Sequence, residues 1–172
     1  MKSKITCALI IIFGIVITGC KQKEEKVEVE AVKIDLINDE FPEAKQEVME
    51  TWEAIVQSLK DGDMDKLIAF HAYGPKFTEF KNGAPRNGSE ANEEFERNTF
   101  GAVTEVVKFD AKDIQVAVYG DVANVTLHSD FYLKFGEDLV VVNDQISLLF
   151  VKTENGWKIV SEHHSPLKKE AI

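Results

Sequence analysis

The sequence predicts an α+β fold in which helices come first and one long antiparallel sheet follows. Three observations carry that prediction. Apolar residues recur at spacings of three and four as far as Phe100, the period changes to alternation after Gly101, and the last three alternating runs are long and joined by short glycine-bearing turns. The 172 residues, 44% of them hydrophobic, fit one globular domain with an added N-terminal segment.

Each element has its own signal. From Pro42, which suits a first helical turn, Ala44, Val48, Trp52, Ile55 and Leu59 make one apolar stripe and predict a helix of about five turns. Asp61-Gly62 ends it, because glycine accepts the left-handed position that closes a helix. Asp63 caps a second, shorter helix with Met64, Leu67 and Ile68 on its apolar face and His71 continuing that face. Turn residues at Gly74-Pro75, Asn82-Gly83, Pro85 and Asn87-Gly88 bracket a short extended piece over residues 76–80. Ser89 caps a third helix to about Phe100, with Ala91, Phe95 and Thr99 expected inward.

Strands are expected over residues 104–109, 113–119, 122–135, 139–152 and 156–165. Turns at Gly120-Asp121, Gly136-Glu137-Asp138 and Glu154-Asn155-Gly156 join the last four, and the final three form an antiparallel meander. Strands of this length exceed what a small flat sheet needs, so the sheet is expected to bend around the helices and enclose a cavity. With strict alternation, Trp157, Ile159, Ser161, His163 and Ser165 share one face of the last strand. Asp144 shares a face of the preceding strand with Val142, Ile146, Leu148 and Phe150.

The N-terminus has another character. Lys2 and Lys4 precede an apolar run from Ile5 to Thr18, too short to cross a bilayer, which takes about 20 residues. It closes on Ile17-Thr18-Gly19-Cys20, which resembles the lipobox of bacterial lipoproteins; the resemblance implies that Cys20 is lipidated and becomes the new N-terminus. Residues 1–19 are thus expected to be a signal peptide, residues 20–38 a lipidated cysteine with a charged tether, and residues 39–168 the domain. Lys23-Glu24-Glu25 resembles the surface-export signal of Bacteroidetes lipoproteins. The expected location is the bacterial cell envelope, on the outer membrane or cell surface where there are two membranes. The chain has 2 cysteines, Cys7 and Cys20, so the processed protein has no thiol pair for a disulfide. Removing Lys2 and Lys4 from 20 basic residues leaves 18 against 30 acids, a net charge of −12. Such a surface repels phosphate backbones and anionic headgroups, so no nucleic-acid partner is expected and the lipid alone is expected to hold the membrane.

The order helix, helix, short strand, helix and long meander, ending on Gly156-Trp157-Lys158-Ile159-Val160 and His163-His164-Ser165-Pro166, resembles the SnoaL-like, ketosteroid-isomerase-like branch of the nuclear transport factor 2-like superfamily. Trp157, His163 and Ser165 are the most specific part of that likeness, and Gly120-Asp121-Val122-Ala123 also fits. The resemblance implies a cone of curved sheet packed by helices, open at one end to a pocket and commonly a homodimer. It implies no single activity, since relatives include isomerases, dehydratases, hydrolases and association modules.

Asp144 and His163 are the candidate catalytic pair, the acid as base and the imidazole as its acid partner or orienter. His163 otherwise bonds a backbone carbonyl in the core, and a bulge would put Asp144 in solvent. His71, Tyr73, Ser129, Trp157 and Ser165 are candidate ligand contacts; His71 and Tyr73 could equally form an aromatic cluster with Phe70 and Phe77. His128 and Asp130 are expected at solvent or a dimer contact. His163 and His164 point to opposite faces of the strand and no i, i+4 histidine pair exists, so neither a metal site nor a cofactor is expected. The favoured reading is an anchored pocket that binds a small, partly apolar molecule; an enzyme of isomerase, dehydratase or hydrolase type and a sheet-face interaction module are the alternatives.

Overall fold

In the computed structural model, residues 33–168 are described, apart from the side chains of residues 85 and 87. The expected signal peptide, Cys20 and the Lys-Glu tether lie outside them. Everything below concerns the unit that begins at Ile34.

The helices form where the apolar spacing put them. Helix α1 (Pro42–Asp61) buries Val48, Trp52, Ile55 and Leu59, and Gly62 closes it at φ 68°, donating its N–H to Leu59. Helix α2 (Met64–Ala69) is capped by Asp63, whose carboxylate accepts the Lys66 N–H at 3.0 Å. A hairpin follows, β1 (Thr78–Lys81) and β2 (Ala84–Asn87), turned by Asn82 and Gly83, both at positive φ as a two-residue hairpin turn demands. Helix α3 (Ser89–Gly101) is rotated from the expected face: it buries Asn92 and Glu96 and leaves Ala91 exposed. The Asn92 side chain donates to the carbonyls of Arg86 and Gly88, at 2.9 and 2.6 Å, and those bonds fix the helix's orientation against the hairpin. Ile34 and Leu36 lie in and beside a turn closed by Asp35, which accepts the N–H groups of Ile37 and Asn38.

The rest is one seven-stranded sheet in the order β2-β1-β7-β6-β4-β3, with β5 also paired to β4. Its later strands are β3 (Glu105–Tyr119), β4 (Val122–Phe135), β5 (Asp138–Val142), β6 (Asp144–Thr153) and β7 (Gly156–Pro166). The sheet is mixed rather than wholly antiparallel, because β1 runs parallel to β7, with Glu79 opposite Glu162 and Lys81 opposite His164. Residues expected as two strands before Tyr119 form one, interrupted by irregularities near Val107 and Asp113. The expected strand over 139–152 is broken at Asn143 into β5 and β6, which pair with successive stretches of one edge of β4. Breaks of this kind bend strands, and they let the sheet curve over the helices. The core lies between: Ala123, Val125, Leu127, Phe131 and Leu133 from β4 meet the α1 stripe and Ile146, Leu148 and Phe150 from β6.

One irregularity decides the orientation of the C-terminus. Ile159 pairs with Phe150 and Ser161 with Leu149, so Val160 is an extra residue on β7 without a partner on β6. At that point the free edge of β7 changes partner: Ile159 exchanges backbone bonds with Phe70 and Ala72, and from Ser161 onward the edge belongs to β1. The extra residue inverts the alternation. Trp157 and Ile159 point inward, and so do Glu162 and His164.

Candidate functional site

A hollow lies between the helices and the concave face of the sheet. Helix α1 supplies Trp52, Ile55 and Leu59, α2 supplies Leu67, and α3 supplies Glu96 and Phe100. The sheet supplies Phe109, Phe131, Ile146, Leu148 and Ile159, with Lys81, Glu162 and His164 beside His71 making the polar part of the lining. Phe109 and Phe131 stack across neighbouring strands with centroids 3.7 Å apart. The hollow holds about 530 Å³ of empty space with its open mouth included, room for a few waters or a small ligand group.

Its polar end is a relay centred on Glu162. One carboxylate oxygen lies 2.7 Å from His71 Nε2 and the other 3.0 Å from His164 Nε2. His71 Nδ1 lies 3.0 Å from the Leu67 carbonyl, which can only accept, so Nδ1 carries hydrogen. A second proton must then lie between Nε2 and Glu162, since two lone pairs at that distance repel. Burial works against the imidazolium, but the hydrogen bond and charge of Glu162 outweigh it and hold His71 above its ordinary value. Burial likewise favours neutral Glu162, yet the hydrogen bonds from His164 and His71 hold this carboxyl well below the usual range.

Glu96 behaves in the opposite way. Burial first, and then the charge of Glu162, push its carboxyl up to about 8. At neutral pH it is chiefly a carboxylic acid, able to donate a proton or a hydrogen bond into the hollow. Glu79, 2% exposed, is held by Arg86 through both carboxylate oxygens, and Arg86 also stacks on Phe95 at 3.5 Å.

Asp144 and His163 are not brought together. Asp144 is inward on β6, opposite Pro166, and does not line the hollow. His163 is exposed on the other face of the sheet, edge-to-face with Phe80 at 6.2 Å, and Ser165 shares that face. The expected alignment of His163 and Ser165 with Trp157 is therefore corrected, and the unpaired Val160 is the reason. Trp157 is buried away from the hollow, where its indole N–H donates to Glu47 of α1 at 2.9 Å. Ser129 accepts the Asp144 N–H at 2.7 Å and donates to the Val142 carbonyl at 3.0 Å, tying the ends of β5 and β6 across the break. His71 reaches the hollow, while Tyr73 stacks on it at 4.9 Å and meets Phe77 edge-on at 4.8 Å; Tyr73 lines no part of the hollow. The Tyr73 hydroxyl is buried without a partner among the described residues, and burial raises its pKa. Asp130, expected at solvent or an interface, is buried under Lys108 and Lys112, whose hydrogen bonds lower its carboxyl to about 2. Glu79, Glu96, Glu162 and His164 carried no signal under strict alternation and the expected helix face; a polar i, i+4 pair on α3, Asn92 and Glu96, was the one available hint.

The profile of the SnoaL-like domain family matches residues 48–168, and the chain belongs to that family. No curated protein gave a significant match. Among solved structures, a provisionally assigned dehydratase of the NTF2-like family from Streptomyces avermitilis is 21% identical, covering 73% of this chain and 96% of that one with a TM-score of 0.65. A nuclear transport factor 2-like superfamily protein from Salmonella enterica serovar Typhimurium is 21% identical over 76% of this chain and 95% of that one, TM-score 0.62. A provisionally assigned aromatic ring hydroxylase from Novosphingobium aromaticivorans is 19% identical over 74% and 91%, TM-score 0.63. At these identities the likeness concerns the fold, which is the cone of curved sheet and helices.

Proposed function

We propose that this chain is a lipid-anchored protein of the bacterial cell envelope whose SnoaL-like domain binds a small, partly apolar molecule. The observation that carries the binding reading is the composition of the hollow: a mostly hydrocarbon and aromatic wall with a neutral carboxyl, Glu96, among a few charged groups. A ligand with an apolar body and one carbonyl or hydroxyl group suits that arrangement. Anchoring through Cys20 rests on the leader pattern, and a homodimer is supported by Phe80 and Leu149, exposed at 46% and 37% on the sheet's outer face.

Native mass spectrometry of the full chain released gently from detergent tests the binding reading. A co-purified mass that disappears in Leu148→Trp, which fills the hollow, is the expected result. Identical spectra for both proteins refute it.

A second reading, an isomerase, dehydratase or hydrolase, is favoured by one observation. Burial and the charge of Glu162 push the Glu96 carboxyl up to about 8, so a protonated carboxyl and the ionised Glu162, paired with His71, face one space. Under this reading those groups, rather than Asp144 and His163, transfer the proton. Turnover of any carbonyl or hydroxy compound should then fall at least about 100-fold in Glu96→Gln; unchanged turnover removes Glu96 from the chemistry.

A further inference from the structure

We propose that Glu79, Glu162 and His164 form a binding site for one divalent transition-metal ion, with Zn²⁺ the ion their donor set fits best. Glu79 and Glu162 are direct partners across the parallel β1–β7 pair, and both are buried, at 2% and 7% exposure. Carboxylates opposed in this way repel each other where water is excluded; Arg86 on Glu79 and the imidazoles on Glu162 offset that repulsion, and an ion between the two would offset it more directly. His164 stands two residues beyond Glu162 on the same face, and one ligand atom from each of the three residues lies within 4.8 Å of the others. Tetrahedral zinc with bonds of about 2.1 Å spaces its donors by roughly 3.4 Å, a closure that side-chain rotation supplies.

The surroundings complete a coordination site. Glu162 and His164 both line the hollow, so an ion held by them keeps a position open to water or to a ligand. Behind Glu162, His71 bonds the carboxylate at 2.7 Å and is itself fixed by the Leu67 carbonyl at 3.0 Å, the outer support that orients a ligating carboxylate. When His164 Nε2 takes the ion, its hydrogen moves to Nδ1 and the lone pair is freed.

The neighbouring cations select the type of ion. Arg86 holds both oxygens of Glu79, and Lys81 lines the same hollow. They weaken the pull on hard ions held by charge alone, such as Ca²⁺ and Mg²⁺, and leave the imidazole nitrogen as the donor that discriminates. The site stands whether or not the hollow also takes an organic molecule.

The test is to strip the full chain of metal, equilibrate it with Zn²⁺, remove the excess and count zinc by mass spectrometry, with affinity from calorimetry. One Zn²⁺ per chain is expected, undisturbed by a large excess of Ca²⁺ or Mg²⁺. His164→Ala should weaken binding at least about 100-fold and Glu79→Gln about tenfold, while His163→Ala, on the outer face, binds as the parent does. Imidazole resonances of the unsubstituted chain give a readout that does not require a variant to fold: Zn²⁺ should displace those of His164 and leave those of His128 in place. Uptake far below one equivalent, equal losses in His163→Ala and His164→Ala, or displacement of His128 in place of His164 overturns the proposal.

Discussion

Glu96 and Glu162 lie in one hollow and are driven in opposite directions by their neighbours. Glu162 is surrounded by imidazole donors and stays ionised, whereas Glu96 has burial and a nearby negative charge and keeps its proton. The consequence for stability follows from linkage. A carboxyl raised from 4.5 to about 8 contributes stability that is full below 4.5 and is lost as pH rises through about 8. His71, raised above 6.5, acts with the same sign over a higher window, and depressed Glu162 contributes above 4.5 and loses its contribution as pH falls. Thermal midpoints should therefore fall between pH 5 and pH 8, and in Glu96→Gln that fall should shrink by at least about 5 °C. Scanning fluorimetry across that range measures it, and parallel curves for the two proteins would show that Glu96 does not titrate there.

Among the elements, what was legible in the sequence was local. The stripe Val48, Trp52, Ile55, Leu59 gave α1 to the residue, Gly62 gave its end, and Asp63 gave the cap of α2, because each signal is complete within a few positions. The strand direction of residues 156–166 was legible too. Its facing was not, because the extra residue at Val160 answers a change of edge partner from residues 70–72 to β1, far away in the chain. The break at Asn143 has no local signal either, because it is where one edge of β4 passes from β6 to β5, and the face of α3 follows from bonds between Asn92 and a hairpin that adds onto the C-terminal strand. Deleting Val160 should restore plain alternation, turn Glu162 and His164 out, and bring His163 in. Turning Glu162 out leaves protonated His71 buried without its partner, and breaking a buried pair in this way costs about 3–5 kcal/mol. Urea denaturation should show a loss of at least that size; a loss below about 1 kcal/mol would mean that the bulge can relocate.

At the scale of the whole molecule, the fold and the family are established, and the proposed address follows from the leader pattern at Cys20. Among the described residues no helix is long and apolar enough to cross a membrane. If Cys20 carries the lipid, Cys20→Ala should move most of the protein from the membrane pellet to the soluble fraction, as blotting of fractionated cells would show. Partition unchanged by that substitution would end the anchoring proposal. The parallel seam between β1 and β7 bears on how such a chain is made. A nascent polypeptide shorter than about 160 residues lacks the edge on which the early hairpin rests, so the ribosome releases nearly the whole chain before the sheet can close. If the chain is the exported precursor proposed above, late closure of this kind keeps it threadable through a translocation channel until its final segment has emerged.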